Sequence, residues 1–328
     1  MALPKPLYAL VTEENLRPTR NGDRFFYQYT LKTIAGNLKA NMWNCDKNSI
    51  NSPAFPHRGD IIEINDLVDQ LETHKSIVIN HFKRIDKDAL PEHEKIICEF
   101  PKADPEKIKK ALSVLKDKSL YENETTYTFV LKCFSKLDKN LLMNCPAASK
   151  IHHSFAGGLI VHTAEVMMLC KYIYNSCFKT YQFISNDILI AGAALHDIGK
   201  CFTYHIDDLG MPEQFATEKM LGHMYYGITL VQSVGKEIGL DQKFIDEVSH
   251  CIASHHGKVE FGSMKPVQSQ EALILHCADM VSSRNGMIEN KLQEIIKSNS
   301  TLPEIFAIYS DPYFASIGMQ NYIKDSQS

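Results

Sequence analysis

The sequence lacks the features of membrane, secreted and disulfide-stabilised proteins. It contains no run of about 18 uncharged apolar residues, which is the length that a membrane-spanning helix requires. Its first residues show no basic segment followed by an apolar stretch and a cleavage site, so no signal peptide is expected. The nine cysteines are scattered, and none forms a C-x-x-C pair. We therefore expect a cytoplasmic protein with reduced thiols and no membrane association.

The chain also has little net charge. Its formal net charge is −4, whereas proteins that coat duplex nucleic acid are normally basic, because phosphate neutralisation supplies most of their non-specific affinity. A packaging role is disfavoured, but an enzyme with one local positive groove is not excluded. The 328 residues, of which 44% are hydrophobic and 23% charged, are typical of a globular protein with two or three units.

Residues 1–90 have a β pattern. Aromatic and β-branched residues are dense between Asp23 and Thr33, which predicts a strand. Further short strands are expected near residues 7–11, 36–43, 61–64 and 75–79. Five short strands in fewer than about 100 residues indicate a small closed barrel such as an OB-fold, although sandwiches and SH3-like barrels share this pattern.

The pattern becomes helical from residue 91 onward. Asp104 followed by Pro105 predicts a helix start, with the aspartate as N-cap and the proline in the first helical position. We interpret residues 91–145 as a helical connector, 146–296 as an all-α catalytic domain and 297–328 as a C-terminal tail of unknown role. The predicted fold class is therefore multidomain α+β.

Histidines and carboxylates occur in separated segments of this helical region. The segments are Gly157–Thr163, Leu195–Lys200, Gly222–His223, Ser254–Gly257 and His276–Asp279. Imidazole and carboxylate together suit Mn, Fe, Co, Ni or Zn, and oxygen-rich sites favour Mn or Mg. No cysteine accompanies the histidines, which weakens the hypothesis of a structural zinc site.

These segments resemble the HD-domain phosphohydrolase superfamily over roughly residues 150–290, with the ordered set H…HD…D and the extension H-D-x-G-K. The resemblance implies that four residues bind a first metal: His162, His196, Asp197 and Asp279. It implies that Asp197 bridges to a second metal, whose other ligands are His223, His255 and His256. Two divalent cations about 3.5–4 Å apart can produce a hydroxide nucleophile at neutral pH and stabilise in-line displacement at phosphorus.

Two further residues, Lys200 and His153, are candidates for catalysis besides Asp197. Lys200 lies one turn beyond His196, where its ammonium group could hold a phosphate oxygen. Alternatively, its positive charge could only interact favourably with the C-terminal end of a helix dipole. His153 precedes the Gly157-Gly158 turn and could contact phosphate or act as an acid, but a role in loop packing fits equally well.

The combination of a barrel with this type of HD site resembles the YhaM family of bacterial 3′-to-5′ exoribonucleases over most of residues 5–290. The strings that carry this resemblance are Ala147–His153, Gly157-Gly158, Leu221–His223, Ser254–Gly257 and Glu260–Ser263. The resemblance implies Mn-dependent removal of nucleoside 5′-monophosphates from the 3′ end of single-stranded RNA. Single-stranded DNA as a substrate, the use of Mg, Co, Fe or Zn, and a homo-oligomeric state stay open.

An OB-like barrel binds single strands by stacking bases on aromatic side chains in a basic groove. On the first aromatic strand Tyr27 and Tyr29 share one face and Phe26 and Gln28 the other, so that one face is core and the other is a candidate stacking platform. The candidate nucleic-acid-binding residues are Tyr27, Tyr29, Lys32, Lys39, Trp43 and Arg58. Residues 1–90 hold twelve Lys and Arg against eleven Asp and Glu, which is a weak electrostatic signal.

Two other functions fit the same residues. An HD phosphohydrolase could act on small nucleotides or cyclic nucleotides, because the metal site alone permits that reaction. A non-catalytic RNA-binding scaffold would also carry a barrel, but it would be free to lose metal ligands that are all present here.

Overall fold

The computed structural model describes residues 3–19, 22, 24–46, 49, 52–100, 102–148, 153–206, 212–297, 301–308 and 311–327. The chain divides into two compact units. The first consists of Met1–Glu99, Gln293–Leu302 and Ser316–Ser328, and the second of Phe100–Leu292 and Pro303–Ala315. The predicted boundaries at residues 90, 145 and 296 stay predictions.

The N-terminal unit is built on a closed barrel, as expected. Its strands are β1 (Leu7–Pro18), β2 (Phe25–Thr33), β3 (Gly36–Cys45), β4 (Ile61–Gln70) and β5 (Ser76–Ile85), with the short helix α1 (Leu71–His74) between the last two. The strand order is β1-β2-β3-β5-β4, closed by the β1–β4 pair, and β3 and β5 run parallel while the other pairs are antiparallel. This closed OB-like arrangement leaves no free sheet edge.

Strand β2 determines which face of the barrel is core. Tyr27 and Tyr29 are buried inside, with exposed fractions of 3% and 0%, whereas Phe26 and Gln28 point outward and are only partly covered. Since a buried ring offers no face to a base, the prediction of Tyr27 and Tyr29 as stacking residues is wrong. Both rings belong to the barrel core, where they lie 5.4 Å apart between centroids.

The second unit is helical. Its helices are α2 (Pro105–Leu115), α3 (Glu124–Ser135), α4 (Lys139–Asn144), α5 (Gly158–Ile173), α6 (Asn186–Leu195), α7 (Ala216–Glu237), α8 (Gln242–Ser254) and α9 (Gln270–Lys297), the last of which continues beyond Leu292. A small hairpin of β6 (Tyr204–Ile206) and β7 (Pro212–Gln214) follows α6. The helix start at Asp104 is confirmed, because its carboxylate accepts a hydrogen bond from the Glu106 amide at 2.9 Å.

Helices α5 and α6 form the centre of this unit. The sequence of α6 is apolar on every side, which is typical of a helix with no solvent face, and all its described side chains from Asn186 to Leu195 are buried except that of Asp187. It packs against α5 and α8 within one continuous apolar core that also includes α2 and α3. The residues predicted as a connector therefore contribute helices to this core.

The C-terminal residues form regular structure in both units. Strands β8 (Ile305–Ile308) and β9 (Asp311–Phe314) make a hairpin in the second unit, where Arg284 of α9 binds the Asp311 carboxylate at 2.9 Å. Helix α10 (Ile317–Gln327) belongs to the first unit. Among the described helices, none combines the length and apolar character that crossing a bilayer requires.

Candidate metal centre and nucleic-acid interface

The end of α6 delivers two ligands to the interior of the helical unit. His196 follows the last residue of the buried helix and Asp197 comes next, and the two side chains are 0% and 2% exposed. Gly199 lies directly behind them, where a Cβ would come within 1.8 Å of the His223 carbonyl oxygen. The glycine of the H-D-x-G-K string therefore lets α7 approach closely enough to place His223 beside Asp197.

A second glycine shapes α7 itself. Gly222 has φ +73° and ψ 156°, so that the helix is interrupted immediately before His223. Glycine adopts this conformation at little cost, whereas a side chain would be strained. The interruption lies between Glu218 and His223, and Glu218 contacts His223 Nδ1 at 3.2 Å.

The first group of ligand atoms comes from three helical segments. His162 of α5, His196 and Asp279 of α9 each offer one atom, and these atoms lie within 4.8 Å of one another. His162 Nε2 is 3.1 Å from Asp279 Oδ1 and 3.2 Å from His196 Nε2. All the sequence-predicted ligands of the first metal, Asp197 included, are thus brought together in one buried cluster.

The hydrogen bonds behind these imidazoles orient their lone pairs towards a common point. His196 Nδ1 donates to the Ala193 carbonyl at 2.8 Å, so that Nε2 is the atom left to accept when this ring is neutral. His162 Nδ1 contacts the Ser282 hydroxyl at 3.0 Å, and that hydroxyl itself donates to Glu165 at 2.7 Å. Nε2 of His162 is therefore also an acceptor. Acceptor atoms that converge in this way repel one another unless a positive charge lies between them.

The second group lies on the other side of Asp197. His223, His255 and His256 offer ligand atoms within 4.8 Å of one another. His255 Nδ1 donates to the Ile252 carbonyl at 2.8 Å, so its Nε2 is an acceptor as well. Within the described part of the chain, four buried atoms here have no hydrogen-bond partner: Asp197 Oδ1, His223 Nε2, His255 Nε2 and His256 Nδ1. Because buried polar atoms are normally paired, this cluster fits a divalent cation with nitrogen and oxygen ligands.

Asp197 joins the two groups through its two oxygens. Oδ1 faces the second group, at 3.3 Å from His223 Nε2 and 3.5 Å from His255 Nε2. Oδ2 faces the first group, at 3.4 Å from His196 Nε2 and 3.7 Å from His162 Nε2. Lys200 Nζ also binds Oδ2, at 2.6 Å, which is a contact that the sequence did not predict. Asp197 thus faces both groups, and a lysine holds its carboxylate in orientation.

The pKa shifts describe a pocket that attracts positive charge. Burial opposes the charge on Asp197, but Lys200 and the histidines outweigh it and hold the pKa of this carboxyl well below its usual value. Burial lowers the pKa of His162 and His255, and burial together with neighbouring His255 lowers the pKa of His256 to about 2. These three rings are therefore neutral at pH 7, and neutral imidazole is the form that binds metals.

Several residues of the centre were not identified from the sequence. Ser282 contacts His162 Nδ1 and is itself bound to Glu165. Glu218 contacts His223 Nδ1. His276, by contrast, belongs to a segment that the sequence did single out. It donates from Nδ1 to the His255 carbonyl at 2.8 Å and so supports the segment that carries His255 and His256. The signal that could have identified Glu165 and Ser282 is their spacing, because each follows a ligand of its helix by three residues.

His153 lies beside the first group. Its Nε2 is 3.2 Å from Glu165 Oε2, its ring centroid is 5.4 Å from that of His162, and its side chain is 6% exposed. The backbone of His153 has φ +46°, a left-handed conformation that is strained for this residue. Of the string Ala147–His153 that contributed to the resemblance, residues 149–152 lie outside the described residues.

A separate groove occupies the outer face of the barrel. Its volume is about 620 Å³, and it lies along β2 and β3 and the segment between β4 and β5. It is lined by Phe26, Gln28, Lys39, Asn41, Trp43, Gln70, His74, Lys75 and Ser76. Phe26 and Trp43 are neighbours with ring centroids 4.6 Å apart, and Trp43 is 45% exposed. The groove thus combines aromatic faces with lysines and amides.

The sequence-predicted nucleic-acid-binding residues lie in four different places. Lys39 and Trp43 line the groove, and Tyr27 and Tyr29 lie in the core. Lys32 donates to the Glu99 carbonyl, and burial lowers its pKa. Arg58 is exposed in the turn before β4, where its backbone amide contacts Glu14 at 3.2 Å.

Comparisons with known proteins agree with this architecture. The HD domain family matches residues 159–284, a range that includes every ligand from His162 to Asp279. The 3′-5′ exoribonuclease YhaM of Oceanobacillus iheyensis is 27% identical over 290 residues, covering 87% of this chain and 86% of the relative. The protein of the same name from Geobacillus sp. is 30% identical over 222 residues, covering 63% of this chain and 65% of the relative.

A third relative matches a shorter part. The 3′-5′ exoribonuclease YhaM of Bacillus subtilis is 32% identical over 175 residues, which is 52% of each chain. No solved structure matches this chain significantly. The resemblance drawn from the motifs is confirmed: this chain is similar to proteins named 3′-5′ exoribonuclease YhaM, and its residues 159–284 match the HD domain.

Proposed function

We propose that this protein is a metal-dependent 3′-to-5′ exoribonuclease that hydrolyses single-stranded RNA to nucleoside 5′-monophosphates. The observation that carries the proposal is the pair of buried ligand groups on opposite oxygens of Asp197. The relatives named as 3′-5′ exoribonucleases support the direction and the substrate class.

The chemistry proposed for the centre needs two divalent cations. A mixed imidazole and carboxylate set suits Mn, Fe, Co, Ni or Zn, and the similarity to the YhaM exoribonucleases favours Mn²⁺ among them. When bound, such a pair supplies a water activated at neutral pH and positive charge beside the reacting phosphate. His162, His196 and Asp279 would hold one cation, and His223, His255 and His256 the other, with Asp197 common to both. Lys200 keeps the shared carboxylate in place through its contact with Oδ2.

Lys200 and His153 have proposed roles in the reaction as well. The Lys200 ammonium group, on the Asp197 carboxylate, adds fixed positive charge where negative charge develops on the phosphate. His153, bound to Glu165 beside His162, is the proposed group that contacts the terminal phosphate or protonates the leaving 3′ oxygen.

The barrel groove is the proposed binding surface for the single strand. Bases would stack on the neighbouring rings of Phe26 and Trp43, while Lys39 and Lys75 contact the backbone phosphates. The side-chain amides of Gln28 and Asn41, which also line the groove, would offer hydrogen-bond partners to the RNA without strict sequence readout.

A labelled oligonucleotide tests the proposal. With Mn²⁺, the purified protein should shorten a 5′-labelled single-stranded RNA in steps of one nucleotide, and a blocked 3′ end should slow this reaction. Fragments cut at random internal positions would contradict the exonuclease. Matched RNA and DNA oligomers, each tested with Mn, Mg, Zn and Co, measure the preference for sugar and metal.

The alternative of a small-nucleotide phosphohydrolase predicts a different result. A chain without residues 1–90 should then hydrolyse mononucleotides or cyclic nucleotides as fast as the full chain does. The exonuclease proposal expects the full chain to be active on RNA and inactive on such small substrates.

A further inference from the structure

We propose that Glu165 is a positioning residue, which orients the metal ligand His162 through Ser282 and holds His153 directly. The inference deepens the function proposed above and rests on it, because His162 is oriented for a metal. Neither Glu165 nor Ser282 is a ligand in the HD pattern of the sequence.

The direction of each hydrogen bond follows from the chemistry of the groups. Ser282 Oγ is 2.7 Å from Glu165 Oε2, and a carboxylate can only accept, so the single hydroxyl proton goes to Glu165. The Ser282 oxygen then accepts from His162 Nδ1, at 3.0 Å. The proton of neutral His162 is thereby fixed on Nδ1. Nε2 then carries the lone pair that would bind a metal, at 3.1 Å from Asp279 Oδ1 and 3.2 Å from His196 Nε2.

The two helices supply these groups with the same spacing. On α5, Glu165 follows the ligand His162 by three residues, and on α9, Ser282 follows the ligand Asp279 by three residues. Residues three apart lie on one face of a helix, so each helix presents a ligand together with its support. Both pairs meet because the facing sides of α5 and α9 converge on the same pocket.

The burial of its two partners indicates that Glu165 does more than solubilise the surface. Its side chain is 45% exposed and could be fully hydrated, yet Oε2 accepts from Ser282, which is 3% exposed, and from His153, which is 6% exposed. A single carboxylate oxygen therefore connects solvent-accessible surface with two buried groups of the centre.

His153 is held by this oxygen in a conformation that its backbone does not favour. Its φ is +46°, and a Cβ at Gly158 would lie 1.9 Å from its carbonyl oxygen, so the loop is packed tightly against the start of α5. The 3.2 Å contact with Glu165 then sets the direction of the ring beside His162. Loss of Glu165 should free both His153 and His162, whereas loss of the Ser282 hydroxyl should free only His162.

Metal binding by variants tests the inference without relying on turnover. Mn²⁺ alone is titrated into wild-type protein, S282A and E165A by calorimetry, with S283A and E289Q as matched controls on α9. Ser283 donates to the Met280 carbonyl of its own helix at 3.1 Å, and Glu289 forms a surface ion pair with Lys107 at 3.3 Å. S282A and E165A should lose about 10- to 100-fold of affinity at one of the two sites, the usual effect of removing a support behind a metal ligand.

Two readouts separate positioning from a general structural effect. Nitrogen chemical shifts of the metal-free protein should report one tautomer of His162 in the wild type and a mixture in S282A. On RNA, E165A should lower kcat further than S282A does, because it also frees His153, while KM changes little.

The contradicting outcomes are distinct. If wild type binds Mn²⁺ and shortens RNA while S282A matches S283A in affinity and in the His162 shifts, the positioning role is wrong and the exonuclease stands. If the wild type neither binds Mn²⁺ nor shortens RNA, the proposed function fails and the inference fails with it.

Discussion

The two units differ in how their functional residues are placed. In the helical unit, the seven candidate ligands are side chains whose neighbours from α5 to α9 form a packed core, and His196 and His255 each donate to a backbone carbonyl. In the barrel, the candidate residues lie on an open groove, and Trp43 is 45% exposed. Chemistry that requires buried acceptors to converge leaves a specific sequence pattern, whereas recognition by stacking requires only exposed rings and charge.

The comparison also separates two functions within one chain. The metal centre should determine the rate of hydrolysis, and the groove should determine how tightly RNA is held. Variants that change only one of these properties test the separation.

The largest effect is expected from Asp197→Asn, which keeps the shape of the shared ligand but removes its charge. Activity on RNA should fall by more than about 100-fold, because even supports behind ligands cost about 10- to 100-fold. RNA affinity should not change. Single-turnover cleavage and fluorescence anisotropy on the same oligomer measure the two quantities, and a parallel loss of both would break the comparison.

The difference between a buried ligand cluster and an open groove also explains which residues could be predicted from the sequence. The ligands were predicted because five short motifs occur in one order, and the barrel was predicted because five strand-like runs occur close together. Tyr27 and Tyr29 were assigned to the wrong face, because alternation along β2 defines two faces without saying which one is inside. Glu165 and Ser282 were missed, because a glutamate or a serine on an amphipathic helix is ordinarily a solvent-facing residue.

A smaller effect is expected from Trp43→Ala in the groove. Loss of one stacked base should weaken RNA binding by about 1–3 kcal/mol, which is roughly a 5- to 150-fold rise in Kd. The rate of a single turnover at saturating RNA should be unchanged. I34A is the matched control, since Ile34 is 52% exposed on the barrel but does not line the groove. Equal effects of the two substitutions would contradict the assignment of the groove.

Glu218→Gln tests the second ligand group alone. It removes the charge behind His223 Nδ1, and about tenfold weaker binding of one metal is expected, with RNA affinity unchanged. E237Q is the control on the same helix, because Glu237 forms its ion pairs with the surface lysines Lys132 and Lys136. Calorimetry with Mn²⁺ measures the difference, and identical titrations of the two variants would argue against a second metal at His223.

The smallest effect is expected from Tyr29→Phe in the barrel core. The Tyr29 hydroxyl is buried without a hydrogen-bond partner in the described part of the chain, and burial raises its pKa. Removing an unpaired buried hydroxyl should raise the free energy of unfolding by about 1 kcal/mol, with no change in RNA affinity. Denaturant unfolding measures the first quantity. Weaker RNA binding by this variant would restore Tyr29 as a contact residue.

The central claim is that Asp197 is shared by two metal-binding groups. Anomalous diffraction from crystals grown with Mn²⁺ tests it most directly. The account predicts two manganese peaks about 3.5–4 Å apart, one beside His162, His196 and Asp279 and the other beside His223, His255 and His256, with Asp197 between them. A single peak at saturating Mn²⁺, or two peaks that do not share Asp197, would contradict it.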